Sequence, residues 1–166
     1  MSLDEVENAF NEASSLKPQD TQVLTALGVL QFIRRDFSKA AVYFEKAIKE
    51  NPIDHSVWNK YGAALANSNK TEEATQAYKQ ALDLRPNYVR TLVNIGLAHS
   101  NQAEYLKACE QFLNALMINP QAQHIWSYVR QAALQADRMD ILEKIEQKDP
   151  KLFASDFNLI DPNNLP

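Results

Sequence analysis

The sequence predicts an all-α protein built from stacked pairs of helices, because its glycines and prolines recur at a constant interval. The three glycines of the chain lie 34 residues apart, at Gly28, Gly62 and Gly96. Four of the seven prolines keep the same interval, at Pro18, Pro52, Pro86 and Pro120. A period of this length indicates one supersecondary unit repeated along the chain, with a core buried between neighbouring copies.

Each copy follows the pattern of a tetratricopeptide helix–turn–helix, which has this same period. The middle copy matches it most closely, with Trp58, Gly62, Ala74, Tyr78 and Pro86 at the expected offsets. Glycine and alanine let the two helices of a pair approach closely. Proline ends the second helix because it lacks an N–H and its ring clashes with the preceding turn. The sequence therefore predicts a right-handed superhelical solenoid with three complete tetratricopeptide repeats, at residues 21–54, 55–88 and 89–122.

The first part of the chain matches only the second half of a repeat. Val6, Phe10 and Ala13 occupy the positions that alanine and aromatic residues take in the second helix of each pair. Residues 1–20 are thus expected to form the second helix of a truncated repeat. We interpret a chain that starts within a repeat as a fragment of a longer protein.

The repeat pattern weakens towards the C-terminus. Arg130 occupies the glycine position of a fourth copy, so the helix that follows, at about 139–147, is not expected to pack in the usual way. Residues 123–149 are therefore predicted to form C-terminal capping helices. Pro150 is expected to stop the last helix, and residues 150–166 to form a tail that is loosely docked from Asp156 onward.

Composition argues against several classes of partner and site. The net charge of −4 disfavours nucleic acid, which is bound by basic surfaces. A single cysteine, Cys109, excludes a disulfide framework, and its place beside Ala108 predicts a small core residue. No apolar run is long enough to span a bilayer, and the first residues lack the segments of a signal peptide. The protein is therefore expected to be soluble and cytoplasmic.

No motif for chemistry is present in the sequence. There is no glycine-rich phosphate loop, CxxC or HExxH, and the three histidines, His55, His99 and His124, are not paired at metal-ligand spacing. His99 is expected to be a partly buried structural residue. We therefore predict no catalytic residues, no metal site and no cofactor, and a binding protein rather than an enzyme.

The first helix of each pair is expected to line a concave groove, which is the usual binding surface of repeat proteins. In the predicted register four asparagines face this groove, namely Asn59, Asn67, Asn94 and Asn101. A side-chain amide has both a donor and an acceptor, so a row of amides can hold an extended peptide backbone whatever its sequence. The alternative is that the chain is rich in asparagine generally and that Asn67 and Asn101 merely end their helices.

The groove is also predicted to be cationic, although the protein is acidic. No Asp or Glu occurs in three segments of the first helices, at residues 21–35, 55–71 and 87–103. Lys60, Arg90, Arg34 and Arg35 are among the residues that supply positive charge in these segments. Lys60 and Arg90 are therefore the candidates for binding a ligand carboxylate.

The second and third repeats contain strings that resemble a known family. They are Trp58-Asn59-Lys60, Gly62-Ala63, Leu65-Ala66-Asn67, Glu72-Glu73-Ala74, Asn87-Tyr88-Val89-Arg90, Asn94-Ile95-Gly96 and Asn101. These strings resemble the last repeats of the peroxisomal targeting signal type 1 receptor, the peroxin-5 family. The resemblance covers residues 20–120, and Ile125-Trp126-Ser127 extends it into the C-terminal helices, which adds Ser127 to the candidate peptide-binding residues.

The resemblance implies a receptor that binds cargo proteins ending in a Ser-Lys-Leu type signal, for peroxisomes or glycosomes. It implies backbone-clamping roles for the four asparagines, a carboxylate-binding role for Arg90 with Lys60, and a pocket at Ala63 for the terminal leucine. In this family the site lies between two triplets of repeats, and the upstream triplet is absent here. Peroxisomal membrane docking proteins are further expected partners, through regions outside this chain, as is cycling from the cytoplasm to that membrane.

Two other functions remain open at the level of sequence. One is a co-chaperone adaptor that binds an acidic C-terminal chaperone tail. The lysine and asparagine that such a clamp favours in its first helix are here Thr25 and Val29, which argues against it. The other is a repeat scaffold without a peptide ligand, contacted through its convex helices.

Overall fold

The structure, a computed structural model, describes residues 2–165. These residues form nine α-helices and no strand: α1 Leu3–Leu16, α2 Thr21–Ile33, α3 Phe37–Glu50, α4 His55–Asn67, α5 Thr71–Leu84, α6 Val89–Asn101, α7 Tyr105–Ile118, α8 Ile125–Gln135 and α9 Met139–Ile145. Two short 3-10 helices follow, at Pro150–Phe153 and Pro162–Asn164. The all-α prediction is confirmed.

The helices belong to two compact units, divided after Arg85. The first unit contains α1 to α5, and consecutive helices from α1 to α5 pack against one another. The second unit contains α6 to α9 and both 3-10 helices, and its helices also pack in chain order. Short connections and sequential packing are what the helix–turn–helix pattern predicts.

The structure explains why each repeat has a glycine: an aromatic ring from the next helix occupies the space that a side chain would fill. A Cβ added to any of the three would lie 2.5–2.6 Å from a ring carbon. The pairs are Gly28 with Phe44, Gly62 with Tyr78, and Gly96 with Phe112. All three rings are buried. Glycine is therefore required for close approach of the two helices.

A second periodic feature, in the turns, was not predicted. Left-handed backbone conformations occur at Arg35, Asn69, Ala103 and Asp137, again at the repeat interval, with φ between 54° and 64°. After each one, a backbone amide reaches back to the helix it leaves, as from Glu104 to the carbonyl of His99 at 2.9 Å. This bond satisfies a carbonyl at the helix C-terminus. No glycine marks these turns, so composition gave no signal for them.

The fourth helix pair keeps the turn but loses the glycine–aromatic contact. Arg130 and Glu146 have the same separation along the chain as Gly96 and Phe112, and they form an exposed ion pair. The expected change in packing at Arg130 is thus explained by two charged side chains in place of a ring over a glycine. Both charges stay in water, where such a pair contributes little to stability.

The segment after α9 differs from the prediction. The helix ends at Ile145, so Pro150 does not stop it; Pro150 instead begins a 3-10 helix capped by Asp149. Phe153 in this 3-10 helix is fully buried, with its ring centroid 6.2 Å from that of Trp126. Further along, the amide of Ile160 donates to the buried Asn114 Oδ1 at 2.8 Å. The expected loose tail is therefore docked, because it supplies an apolar side chain and hydrogen bonds to the helices.

Several further predictions concern single helices and single residues. The predicted N-terminal helix is present as α1, and a capping box between Ser2 and Glu5 starts it. Cys109 is buried, as expected, and burial raises the pKa of its thiol to about 12. His99 is partly buried and contacts Glu104 Oε2 through Nδ1 at 2.6 Å. Within residues 2–165, no helix has both the length and the apolar composition needed to cross a bilayer.

Candidate peptide-binding site

The first unit positions four of the candidate residues on α4. Asn67 is exposed, Lys60 and Ala63 are half-buried, and Asn59 is buried, with 3% of its surface exposed. Asn59 is engaged with neighbouring groups. Asn59 is therefore much less accessible than the expectation of a groove-facing amide implies.

Two of these α4 side chains also bond to their own helix. Asn67 Nδ2 donates to the carbonyl of Ala63 at 2.8 Å, four residues earlier. Lys60 Nζ lies 3.4 Å from the carbonyl oxygen of Ser56 and 3.3 Å from its hydroxyl. Asn67 is the last residue of α4, so its geometry favours the interpretation that it ends the helix.

The second unit positions three candidates on α6. Arg90 and Asn101 are exposed, and Asn94 is half-buried. Arg90, Asn94, Leu97 and Asn101 follow one another at intervals of three or four residues, so they share one face of the helix. This stripe on α6 presents one cation, two amides and one apolar side chain.

The charges of the candidate groove are fewer than the sequence suggested. Arg34 is paired with Asp4 and Glu7 of α1, so its charge is neutralised locally. Glu7 is also 3.4 Å from Lys39 Nζ. By contrast, no carboxylate within residues 2–165 forms an ion pair with Arg90. Arg90 is therefore better placed than Arg34 to attract an anion.

Ser127 lies at the start of α8 and is exposed. Its hydroxyl donates to the carbonyl of His124 at 2.6 Å. Ser127 lines a shallow depression of about 320 Å³ together with Arg130, Gln131 and Lys148. Asn101 lines a different cavity.

A groove of about 380 Å³ between α6 and α8 was missed by the sequence analysis. Its lining residues are Leu97, Ser100, Asn101, Tyr105, Phe112, Tyr128, Gln131, Ala132 and Gln135. We call this cavity the α6–α8 groove. Tyr128, Gln131 and Gln135 are the fourth-copy counterparts of Asn94, Leu97 and Asn101, one repeat later. Assigning the groove-facing positions of the fourth copy, as was done for the other copies, could have identified them.

The described residues contain no group of three or more His, Cys, Asp or Glu side chains placed to hold a metal ion. His99, Glu104 and Lys107 form a titratable cluster at the end of α6. Hydrogen bonds from Lys107 and His99 hold the pKa of the Glu104 carboxyl below its usual value. These contacts join the end of α6 to the start of α7, which is a structural role.

Comparison with known proteins agrees with the fold. Residues 33–136 match the family model described as the cilia and flagella-associated protein 70 middle TPR-like domain. Among solved structures, a crystal structure of MamA superimposes with a TM-score of 0.78 over 88% of this chain and 85% of the other, at 18% identity. A likeness at this identity shows the fold alone.

Curated relatives carry a more specific name. The peroxisomal targeting signal receptor of Kluyveromyces lactis is 35% identical over 158 residues, which cover 88% of this chain and 28% of the receptor. The peroxisomal targeting signal 1 receptor of Dictyostelium discoideum is 36% identical over 155 residues, 92% of this chain and 24% of the receptor. The chain thus spans less than a third of these relatives. It belongs to the family of TPR-like repeat domains, and over most of its length it resembles part of the peroxisomal targeting signal receptors.

Proposed function

We propose that this chain is the cargo-recognition part of a peroxisomal targeting signal receptor and binds the C-terminal Ser-Lys-Leu type signal of cargo proteins. The observation that carries the proposal is its similarity, over about nine-tenths of its length, to proteins named as such receptors. The proposal applies equally to a receptor whose cargo is destined for glycosomes. The receptor is proposed to act in the cytoplasm and to cycle to the peroxisomal membrane, where docking proteins bind regions outside this chain.

The α6 stripe supports a role in peptide binding. Arg90 is exposed and has no paired carboxylate within residues 2–165, so it is available for the free carboxylate of a cargo C-terminus. Asn94 and Asn101 on the same face present amide donors and acceptors to the backbone that precedes it. In this proposal binding depends on a free C-terminus and on peptide groups more than on side chains.

The α4 residues have distinct proposed roles. Lys60 is proposed to supply a second positive charge, and half-buried Ala63 to line the pocket for the terminal leucine. Asn59 and Asn67 are proposed as backbone-clamping residues of α4, and Ser127 as a peptide-binding residue of α8. The reaction is binding and release; no covalent chemistry is proposed.

The decisive experiment is a titration of the complete protein with two peptides. Both end in Ser-Lys-Leu, and one is amidated at its C-terminus. We expect the free acid to bind and amidation to abolish most of the affinity, because only the free acid carries the anion. A third peptide, which ends in the acidic sequence of a chaperone tail, tests the co-chaperone alternative. Tighter binding of that tail would favour a co-chaperone adaptor, and no binding of any peptide would favour a scaffold.

A further inference from the structure

The two tryptophans of the chain occupy equivalent places in the second and fourth copies, but their indole groups are bonded differently. Trp58 Nε1 donates to the carbonyl of Pro52 at 2.8 Å. In the fourth copy the equivalent carbonyl, that of Pro120, accepts from Gln123 Nε2 at 2.9 Å instead. Trp126 Nε1 is buried and has no hydrogen-bond partner among the described residues. The fourth copy therefore contains a buried donor whose counterpart acceptor is bonded to another side chain.

An unpaired buried N–H indicates that its acceptor comes from outside the chain. Burying a donor without an acceptor is costly, so native structures rarely leave one unpaired. Trp126 lines the shallow depression of about 320 Å³ beside α8, together with Gln123 and Ser127. The depression has room for a group much larger than one water molecule.

Two cations line the same depression, Arg130 and Lys148. Lys148 Nζ lies 5.7 Å from the centroid of the Trp126 ring. The backbone amide of Lys148 donates to the carbonyl of Ile145 at 3.0 Å, which holds the turn that carries this side chain. No carboxylate among the described residues forms an ion pair with Lys148. Since the described residues that line the depression include no Asp or Glu, its charge favours an anion.

One carboxylate of the chain already uses this positive charge. Glu146 forms an ion pair with Arg130, although Glu146 does not line the depression. A hydrogen bond from Arg130, the charge of Arg130 and the charge of Lys148 hold the pKa of the Glu146 carboxyl below its usual value. Glu146 is exposed, so its side chain can leave Arg130 at little cost. A ligand carboxylate that replaced it would meet the same two cations and, in addition, the indole N–H.

A carboxylate suits this set of donors. An ionised carboxylate only accepts hydrogen bonds, and it has two oxygens, so it can bind the indole N–H and a cationic group at the same time. A neutral carbonyl would satisfy the indole but leave the cations without an anion. Leu134, with 56% of its surface exposed, also lines the depression and offers an apolar contact for the methylene groups that carry a carboxylate.

We propose that the depression beside Trp126 binds one carboxylate group, carried by an acidic side chain or by a small organic acid, through the indole N–H, Lys148 and Arg130. Glu146 acts as an internal competitor for Arg130. The inference goes beyond the proposed function and does not depend on it, because Arg90, the residue proposed to bind the C-terminal carboxylate, does not line this depression.

The test follows the two indole N–H signals of the nitrogen-15-labelled 166-residue chain by NMR, in Tris buffer at about pH 7 without added salt. The ligand is a pentapeptide with one central glutamate and both ends blocked. We expect it to move the Trp126 signal downfield in a saturable way, with a dissociation constant in roughly the millimolar range. The Trp58 signal should stay in place, because its N–H is already bonded to Pro52.

Two further compounds define what is recognised. The same blocked pentapeptide with glutamine in place of glutamate should move neither indole signal. Propionate carries the carboxylate without a peptide backbone and separates the two sources. Affinity equal to that of the glutamate peptide identifies a free organic acid as a sufficient ligand, whereas weaker binding identifies an acidic side chain held by its polypeptide.

Exposed residues provide variants with opposite expected effects. Lys148→Gln should weaken the glutamate peptide about fivefold, and Glu146→Gln should strengthen it about threefold, because the internal competitor is removed. The control is Lys151→Gln, which removes the same charge from an exposed lysine outside the depression and should change the affinity less than about twofold.

Three results would overturn the inference: no saturable shift of the Trp126 signal, equal shifts with the glutamate and glutamine peptides, or weaker binding in Glu146→Gln. The proposed function would stand in each case, because the blocked peptides have no C-terminal carboxylate. Failure of the Ser-Lys-Leu peptides to bind the complete protein would overturn the proposed function alone.

Discussion

The four asparagines that look alike in the sequence occupy different environments. Asn59 is buried and engaged with neighbouring groups, whereas Asn67 is exposed and bonded to its own helix. Removing a buried amide leaves its partners unsatisfied. Asn59→Ala should therefore lower the free energy of unfolding by about 1–3 kcal/mol.

The matched variant is Asn67→Ala, which removes an exposed amide from the same helix. Its effect on the free energy of unfolding should stay within about 0.5 kcal/mol. Urea unfolding followed by far-UV circular dichroism measures both variants. Equal stability losses would mean that burial does not distinguish the two amides.

Arg90 is the residue on which the charge selectivity of the proposed site depends. Arg90→Glu should weaken a peptide with a free C-terminus far more than its amidated form, because only the free acid is then repelled. Lys60→Glu should act in the same direction but less, since the Lys60 ammonium already contacts the Ser56 carbonyl and hydroxyl. Isothermal titration calorimetry with the acid and the amide gives the ratio of their affinities for each variant. A loss of the same size for the acid and the amide would remove Arg90 from the carboxylate site.

Residue-level prediction succeeded where the repeat register alone decides the environment. Cys109 and the three glycines are buried at packing positions, as their places in the copies indicated. The register also placed Asn59 on the groove side of α4, yet the structure buries it. Register gives the direction of a side chain from its own helix, whereas burial depends also on what packs over it.

The glycine–aromatic contact is the element-scale feature that defines each full repeat. In Gly96→Ala the added methyl group would lie 2.5 Å from a carbon of the buried Phe112 ring, so the ring or the helix must shift. We expect a net loss of about 1–3 kcal/mol in the free energy of unfolding, even though alanine favours the helix. Chemical denaturation is the measurement.

Arg130→Gly supplies the comparison in the fourth pair. Here no aromatic ring occupies the position opposite residue 130, and the exposed ion pair with Glu146 contributes little to stability. The loss should be about 1 kcal/mol, the helix penalty of glycine alone. A gain in stability would show that α8 and α9 can still adopt the full-repeat packing.

The left-handed turns allow a second test at this scale. Ala103 adopts φ 59° and Asn69 adopts φ 60° at equivalent turns. Alanine is strained in this region, whereas asparagine tolerates it. Ala103→Gly should therefore raise the free energy of unfolding by about 0.5–1 kcal/mol, and Asn69→Gly should change it much less. Thermal unfolding of the two variants checks this, and a larger gain at Asn69 would contradict the strain argument.

The helices could be predicted, but their turns and the last segment could not. Periodic glycine, alanine, aromatic and proline residues mark packing positions, so the pairs from α2 to α7 follow from the sequence. Four different residue types adopt the left-handed turn conformation, so no single type marks the turns in the sequence. They are Arg35, Asn69, Ala103 and Asp137. Phe153 lies outside the repeat, where no period indicates which apolar residue is buried. The α6–α8 groove was missed because the groove-facing positions of the fourth copy were not assigned.

At the scale of the whole molecule, folding and ligand binding are expected to separate. Stability in repeat proteins comes from contacts between neighbouring units, which this chain contains. The resemblance implies a ligand that touches repeats beyond those present, and the chain spans less than a third of its receptor relatives. The chain alone should therefore unfold cooperatively yet bind Ser-Lys-Leu peptides far more weakly than the complete protein, because it makes fewer contacts while the ligand still loses its freedom.

Circular dichroism and anisotropy titrations of the two proteins side by side measure this difference. Affinity of the 166-residue chain equal to that of the complete protein would show that the other repeats are dispensable. Loss of the helical signal in the isolated chain would show instead that its neighbours are needed for folding.

The charged pair at Arg130 and Glu146, with the buried Phe153 behind it, also bears on how such a protein changes by gene duplication. A copied unit inserted ahead of residue 123 brings its own glycine and aromatic ring, so each new neighbour finds a matching partner. A unit appended after α9 meets two charges and a segment already docked on α7 and α9. A repeat inserted ahead of residue 123 therefore finds a glycine–aromatic contact that a repeat appended after α9 would lack, so we expect insertions of whole repeats to be tolerated better in the interior of the array than after α9.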